Sequence, residues 1–504
     1  MRTLSRHRRA GAAISVALTT AALLAGVPHH QFDPTTAAPC DRSGAISVEV
    51  TDALARSHQP DVVVRTTKDG APNVAARLTA AGRSVATVLP GLDLITGRLD
   101  RTALATLSRD CQVVSVTVDG TARLTGVDVP TQVAVQDVGY AHAVGATALH
   151  QQGIDGAGVG VALVDTGVDQ HPGLGQRVHE GVDLTAEADG RDRYGHGTFV
   201  AGIVAADGTA TGVTGVAPGA HLVPVKVAGV DGVTQVSHLL AAIEWVVDHR
   251  DEHAIGVLNL PLGTDSSRSF VVDPLNHAVQ RAWDAGIVVV VSASNSGPGA
   301  HTIGKPGDDP WVITVGALDR RGSATTSDDA IPGWSGRGPT HGHAIPKPDL
   351  VAPGVGIVSL RAPGSTVDAA NPEARVGAGG FRGSGSSFAT AVTSGAVALL
   401  RQAHPDWTPD QVKGALLATA APGPTGDRLT EGHGRLDVAA AHEHADPPTA
   451  NGRMGQGAAT HPRTAPRLRQ ADQHASQWYA SQWYASQWYA SQWYASQWYG
   501  QDWS

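Results

Sequence analysis

Ser384, Ser386 and Ser387 stand within four positions of GGFRGSGSSFATAVTSG, residues 379–395, just ahead of an apolar run. A serine hydroxyl becomes a nucleophile only when a base takes its proton, and the base needs a carboxylate to hold its tautomer. Two upstream residues have the required types. Asp165 closes the run VALVD and is followed by Thr-Gly, so its carboxylate is expected at the carboxyl end of a buried strand where a turn begins. His196 lies in YGHGTFVAGIVAA, where small neighbours allow close approach to the imidazole and the apolar positions that follow read as a buried helix. Ser387 opens SFATAVTSGAVALL. Its hydroxyl is therefore expected at a helix N-terminus, where backbone N–H groups stabilise developing negative charge. Singly, each signal has a plainer explanation: a turn aspartate, a loop histidine, a Gly/Ser helix cap. Together they point to acyl transfer with Ser387 as the reactive serine.

The elements that must position these residues are legible as apolar periodicity. From about Asp61 to Asp119, DVVVRTT, NVAARLTAAG, SVATVL, DLITGRL, RTALATLSR and VVSVTVD predict strand-helix-strand-strand-helix-strand, a small α+β unit over 40–120. Residues 121–140 lose periodicity, as a linker or cleavage region would. From 141 to 442, strand-like runs (GVGVALVD, HLVPVKV, GVLNLPLG, GIVVVVSAS, WVITVGAL) alternate with helical stretches such as SHLLAAIEWVVDHRD and PDQVKGALLATA. Runs apolar throughout and separated by helices predict an α/β fold with a mostly parallel sheet covered on both faces. Working residues in such sheets sit at the carboxyl ends of strands.

Composition sets the wider frame. With 504 residues, 41% apolar and 16% charged, the chain has core material for two or more domains, and a net charge of -9 lacks the basic footprint of nucleic-acid binding. Four arginines ahead of an Ala-rich apolar segment predict a secretory signal over 1–27, with an uncleaved anchor as the alternative. Cys40 and Cys111 are the two cysteines, a pair better suited in an exported chain to a disulfide than to a metal site. Residues 443–474 read as a flexible linker. The tail over 475–504 begins with five copies of ASQWY and holds six of the eleven tryptophans. A period of five keeps no constant face on strand or helix, so disorder is expected, with a multi-copy peptide product acted on by separate tail-modifying enzymes as the functional reading.

The order Asp165, His196, Ser387 with all three contexts resembles the subtilisin-like serine proteases, or subtilases, over about three-fifths of the chain, 141–442. The resemblance extends to VLNLPLG, matching the substrate-lining strand with Pro261, Leu262 and Gly263. It includes VVVVSASNSGPG with Ser294 and the oxyanion asparagine, here Asn295, and IGKPGDDPWVITVGALD with Gly304 at the specificity pocket. It implies a secreted endopeptidase made as a zymogen and working as a monomer on peptide or protein substrates. The small α+β unit resembles the subtilase propeptide, an intramolecular inhibitor. A ligase or macrocyclase and an idle scaffold displaying the tail are the rival readings.

Several residues depart from the family pattern. Ser386 stands for the usual threonine, Phe388 for methionine, Ala391 for proline and Pro261 for serine. The resemblance implies no cofactor for the chemistry. A structural calcium loop has the family spacing between His196 and Pro218, with Asp207 and Thr209 as candidate oxygen donors and loss of the site as the alternative. Residues 359–383 are longer than in compact family members. Ser294 stands for a common pocket glycine and Asp308 and Asp309 follow the pocket loop, which together suggest a mild taste for basic or small side chains.

Overall fold

The computed structural model describes residues 45–124 and 136–451. The signal-like segment, Cys40, residues 125–135 of the processing region and the repeat tail lie outside the described residues, as does the linker beyond Asn451.

The N-terminal unit runs α1 (Val48–Arg56), β1 (Asp61–Thr66), α2 (Ala71–Ala80), β2 (Ser84–Leu89), β3 (Leu94–Arg98), α3 (Arg101–Leu107) and β4 (Val113–Val118). Its four strands pair antiparallel in the order β2-β3-β1-β4. Strand alternation divides the valines of β1 between two cores. Val62 and Val64 pack with Val74, Leu78 and Leu104 beneath the unit's own helices. Val63 faces the other way and joins Leu89, Leu92 and Leu94 in the core of the larger unit. The Asp100 carboxylate caps α3 by accepting from Ala103 N at 2.8 Å. Cys111 is disulfide-bonded.

The rest of the chain continues with β5 (Thr121–Leu124), α4 (Tyr140–Ala143), α5 (Ala146–His150), β6 (Gly160–Asp165), β7 (Val182–Asp183), α6 (His196–Ala205), β8 (His221–Lys226), β9 (Val233–Gln235), α7 (Val236–Asp248), β10 (Ile255–Leu260) and β11 (Leu262–Gly263). It closes with α8 (Pro274–Asp284), β12 (Val288–Ser292), β13 (Ile313–Leu318), β14 (Leu350–Pro353), β15 (Ile357–Leu360), α9 (Thr366–Ala370), β16 (Arg375–Val376), β17 (Gly380–Gly383), α10 (Ser386–Ala403), α11 (Pro409–Ala418), α12 (Arg428–Glu431) and α13 (Val438–His442). Seven strands form a parallel sheet in the order β14-β13-β12-β10-β6-β8-β7. Strands β6, β10, β12 and β13 are buried at every position, which is why their sequences show no polar face. Helix α10, buried along its first fifteen residues, packs against β10, β12 and β13 and beside α6.

Two boundaries differ from the sequence reading. Residues 121–124, expected as linker, form a strand held between β9 and β11. Residues 443–451, expected as flexible, dock on α11: Asn451 Nδ2 donates to Asp410 at 2.6 Å and Ala450 N donates to the Asp410 carbonyl at 3.1 Å. Both contacts are backbone or single-side-chain pairings, which leave no apolar period in sequence. Among the described residues no helix is long and apolar enough to cross a membrane.

Candidate active site

Asp165 ends β6, His196 opens α6 and Ser387 is the second residue of α10, so three carboxyl-edge positions of the fold bring the three side chains together. His196 Nδ1 lies 2.8 Å from Asp165 Oδ1 and 2.9 Å from Oδ2, with both side chains fully buried. A carboxylate in that position holds the Nδ1–H tautomer and turns Nε2 outward. His196 Nε2 is itself buried and has no hydrogen-bond partner. Such an orphan is rare in folded proteins and calls for an explanation. Ser387 Oγ donates to the Pro261 carbonyl at 3.3 Å. In resting enzymes the hydrogen bond from nucleophile to base is often formed only with substrate in place.

The close approach of α6 to β6 depends on Gly197. A Cβ there would lie 2.0 Å from the Gly167 carbonyl oxygen. Behind the pair sits Asp192, which the sequence reading did not single out. Its carboxylate accepts from Thr166 Oγ1 at 2.7 Å, Gly195 N at 2.6 Å and Thr198 N at 2.7 Å. Burial pushes its carboxyl up against the pull of those bonds. Thr166 in turn donates its N–H to Asp165 Oδ1 at 2.8 Å, and its hydroxyl accepts from Gly197 N at 3.0 Å. The signal available in sequence was an aspartate four residues before the histidine. Phe388 supplies an aromatic wall, its ring 5.6 Å from that of His196 and 4.5 Å from that of Phe199.

The remaining sequence candidates gather around the same point. Asn295 Oδ1 accepts from Ser386 N at 3.0 Å, which orients the amide beside the nucleophile. Ser294 is held at φ 90°, and its hydroxyl donates to the Thr302 carbonyl. Gly304 N reaches the Ala293 carbonyl at 3.4 Å, and a Cβ on Gly304 would meet Thr264 and Ser294. Leu262 and Gly263 pair antiparallel with Leu124 and Arg123, while Thr234 on β9 faces Ala122. The chain's own β5 therefore fills the space between β11, which follows Pro261, and β9, with Ala122 fully buried.

Asp308 and Asp309 do not face an open pocket. Asp308 pairs with the buried Lys305 ammonium and accepts from Asn276 Nδ2 at 2.9 Å. Asp309 accepts from Asn276 Nδ2 at 3.2 Å, Gln280 Nε2 at 2.9 Å and Trp311 N at 2.9 Å, and burial pushes its carboxyl up to about 6. The taste for basic side chains suggested by these two carboxylates loses its basis. Proximity in sequence concealed that both charges are spent on internal partners.

The family model described as Subtilase family matches residues 156–457, more than half of the chain. The chain belongs to the subtilase family. This subtilase is 42% identical over 270 residues to serine protease AprX of Bacillus subtilis (strain 168), covering 52% of its own length and 61% of AprX. It is 34% identical over 276 residues to subtilisin BL of Lederbergia lenta, covering 55% of itself and 88% of that protein. Fervidolysin from Fervidobacterium pennivorans, described as a keratinolytic enzyme related to subtilisin, superposes with a TM-score of 0.62 at 25% identity over 77% of this chain and 61% of that one. The chain thus spans about three-fifths of the AprX and fervidolysin lengths.

Proposed function

We propose that the protein is a secreted serine endopeptidase made as a zymogen, with Asp165, His196 and Ser387 as its triad. The observation that carries this is the buried His196 ring, gripped at Nδ1 by both oxygens of Asp165 and left unpaired at Nε2. An imidazole so held is a base waiting for a proton. His196 takes the Ser387 proton as Oγ attacks the peptide carbonyl, then gives it to the leaving amine, and water resolves the acyl-enzyme by the reverse route. Asp165 stabilises the imidazolium, and the Asn295 amide with the Ser387 backbone N–H binds the oxyanion. Leu262, Gly263 and Thr234 receive the substrate as an added strand, with Ser294 and Gly304 at the pocket.

The N-terminal unit acts as the inhibitory propeptide. Its exit strand β5 runs toward the nucleophile, ending at Leu124 opposite Leu262, the neighbour of the residue whose carbonyl accepts from Ser387. The processing bond is proposed within about three residues of Leu124, since one residue of strand advances about 3.3 Å. Product release then requires the unit to leave α7 and the segment leading into α8, where Gly91 N donates to Glu244 at 2.8 Å and Arg65 donates to the Val271 carbonyl at 2.7 Å.

The test is Ser387→Ala in the full chain. Peptide hydrolysis is expected to fall on the order of 10⁴- to 10⁶-fold, the precursor to stay uncut, and labelling by a fluorophosphonate to vanish. Cleavage near Leu124 at the parent's rate in this variant would overturn the proposal.

A further inference from the structure

The spacing between His196 and Pro218 resembles that of subtilases with a structural calcium loop, and the oxygens present here do not suit that ion. Calcium takes six to eight oxygens, several of them from carboxylates. Asp207 is the loop's one carboxylate, and its Oδ1 is already taken by Thr209 N at 2.9 Å and Thr209 Oγ1 at 2.7 Å. Two carbonyls at the start of the loop also have internal donors. Gly208 O accepts from Gly212 N and Ala206 O from Gly215 N, each at 2.8 Å.

A cation is nevertheless present at the base of this loop, supplied by the chain. The Arg177 guanidinium donates through Nε to the Leu174 carbonyl at 3.1 Å, through one terminal nitrogen to the Gly173 carbonyl at 2.9 Å, and through the other to the Pro218 carbonyl. The nitrogen on Gly173 also lies 3.7 Å from Asp207 Oδ2. Gly173 O further accepts from Asp207 N at 2.9 Å, which ties the loop to the same point. Three carbonyl dipoles and one carboxylate thus turn their negative ends toward a single planar ion. A guanidinium satisfies such a set with directed N–H bonds and keeps its charge at any working pH.

We infer that Arg177 replaces the structural cation of this loop, so that the fold of this protein holds without calcium. Arg177 draws together the turn over 173–177, the start of the loop at Asp207 and its far end at Pro218. The Asp207 carboxyl is held below the usual carboxylate range. Its slight burial opposes this, but the Thr209 bonds and the Arg177 charge outweigh it. The consequence concerns regulation: chelation and calcium supply leave the stability of the catalytic unit unchanged, in contrast to a protein whose loop must be filled by an ion.

The experiment uses the full chain carrying Ser387→Ala to prevent self-digestion. Thermal melting is followed in EGTA and in excess calcium chloride, with hydrogen exchange of the 207–215 amides as the local readout. Chelator and calcium are expected to move the melting temperature by no more than about 1 °C. Arg177→Met is expected to lower it by roughly 3–6 °C, the scale for losing a few charge-assisted bonds in a domain of this size, and to speed loop exchange about tenfold. Calcium is expected not to restore either. Should Arg177→Met fail to fold, Asp207→Asn keeps the carbonyl contacts and is expected to give a smaller acceleration in the same amides. A parent protein that loses several degrees in EGTA and regains them with calcium would overturn the inference. So would loop exchange at the parent's rate in both variants.

Discussion

Two buried polar regions of this protein are organised in opposite ways, one at the carboxyl end of β6 and one at the amino ends of β13 and β14. Around His196 the hydrogen-bonding capacity is arranged on one side only, with Nδ1 satisfied twice over and Nε2 unpaired. Beneath the pocket loop the charges close on one another. Lys347 Nζ donates to Asp349 Oδ2 at 2.6 Å and to Thr314 Oγ1 at 2.9 Å, while Lys413 Nζ donates to the Pro310 carbonyl at 2.7 Å and lies 3.4 Å from Asp349 Oδ1. Burial lowers Lys413 to about 8, and the two ammonium groups hold the Asp349 carboxyl down despite its own burial. A spent network positions a loop, and an unspent one can act on a third party. The contrast separates residues whose loss should remove activity from residues whose loss should remove the fold.

The sharpest way to break that contrast is Asp165→Asn. An amide there supports the wrong imidazole tautomer, so the catalytic constant is expected to fall about 10⁴-fold with little change in melting temperature. A variant that loses stability and activity together would place Asp165 with the structural network. Asp349→Ala is the mirror experiment. It strands two buried ammonium groups, at a cost of about 3–5 kcal/mol in denaturant unfolding, while the fraction that remains folded keeps its turnover. Turnover loss in that folded fraction would show the two regions to be one.

Asn295→Ala sharpens the active side of the comparison. The catalytic constant is expected to drop by about 10²–10³ with the Michaelis constant nearly unchanged, as for a donor used only in the transition state. A rise in the Michaelis constant alone would mark Asn295 as a binding residue instead.

The smallest expected effect lies where the N-terminal unit meets α8. His277 Nε2 bonds to the Leu92 carbonyl at 2.9 Å, and burial with the nearby Arg65 and Arg281 charges lowers its pKa to about 3. The bound state therefore favours neutral His277. Affinity is full above the free value near 6.5 and declines as pH falls from there toward 3, by at most about tenfold per pH unit. Retention of the processed N-terminal unit on the catalytic unit, measured by size exclusion at pH 7.5 and pH 5, should show the loss, and His277→Gln should flatten it. Equal retention at both values in the parent would remove His277 from the interface's pH response.

The sequence by itself determined the parallel sheet, because strands buried on both faces must be apolar at every position, as β6, β10, β12 and β13 are. It also determined the type and order of Asp165, His196 and Ser387, since strand ends and helix starts carry local signals in Gly, Asp and Ser. Tertiary structure alone decided what each charge faces. Asp308 and Asp309 looked like pocket carboxylates and are consumed by Lys305, Asn276, Gln280 and Trp311. Arg177 carried no motif, yet its guanidinium collects carbonyls from the 173–174 turn and from Pro218. Residues 121–124 lacked a readable period because a strand of four residues gains its hydrogen bonds from β9 and β11, not from its own pattern. Periodicity reports which side of an element is buried, whereas hydrogen bonds and ion pairs depend on which other segments arrive there, and no local stretch encodes that.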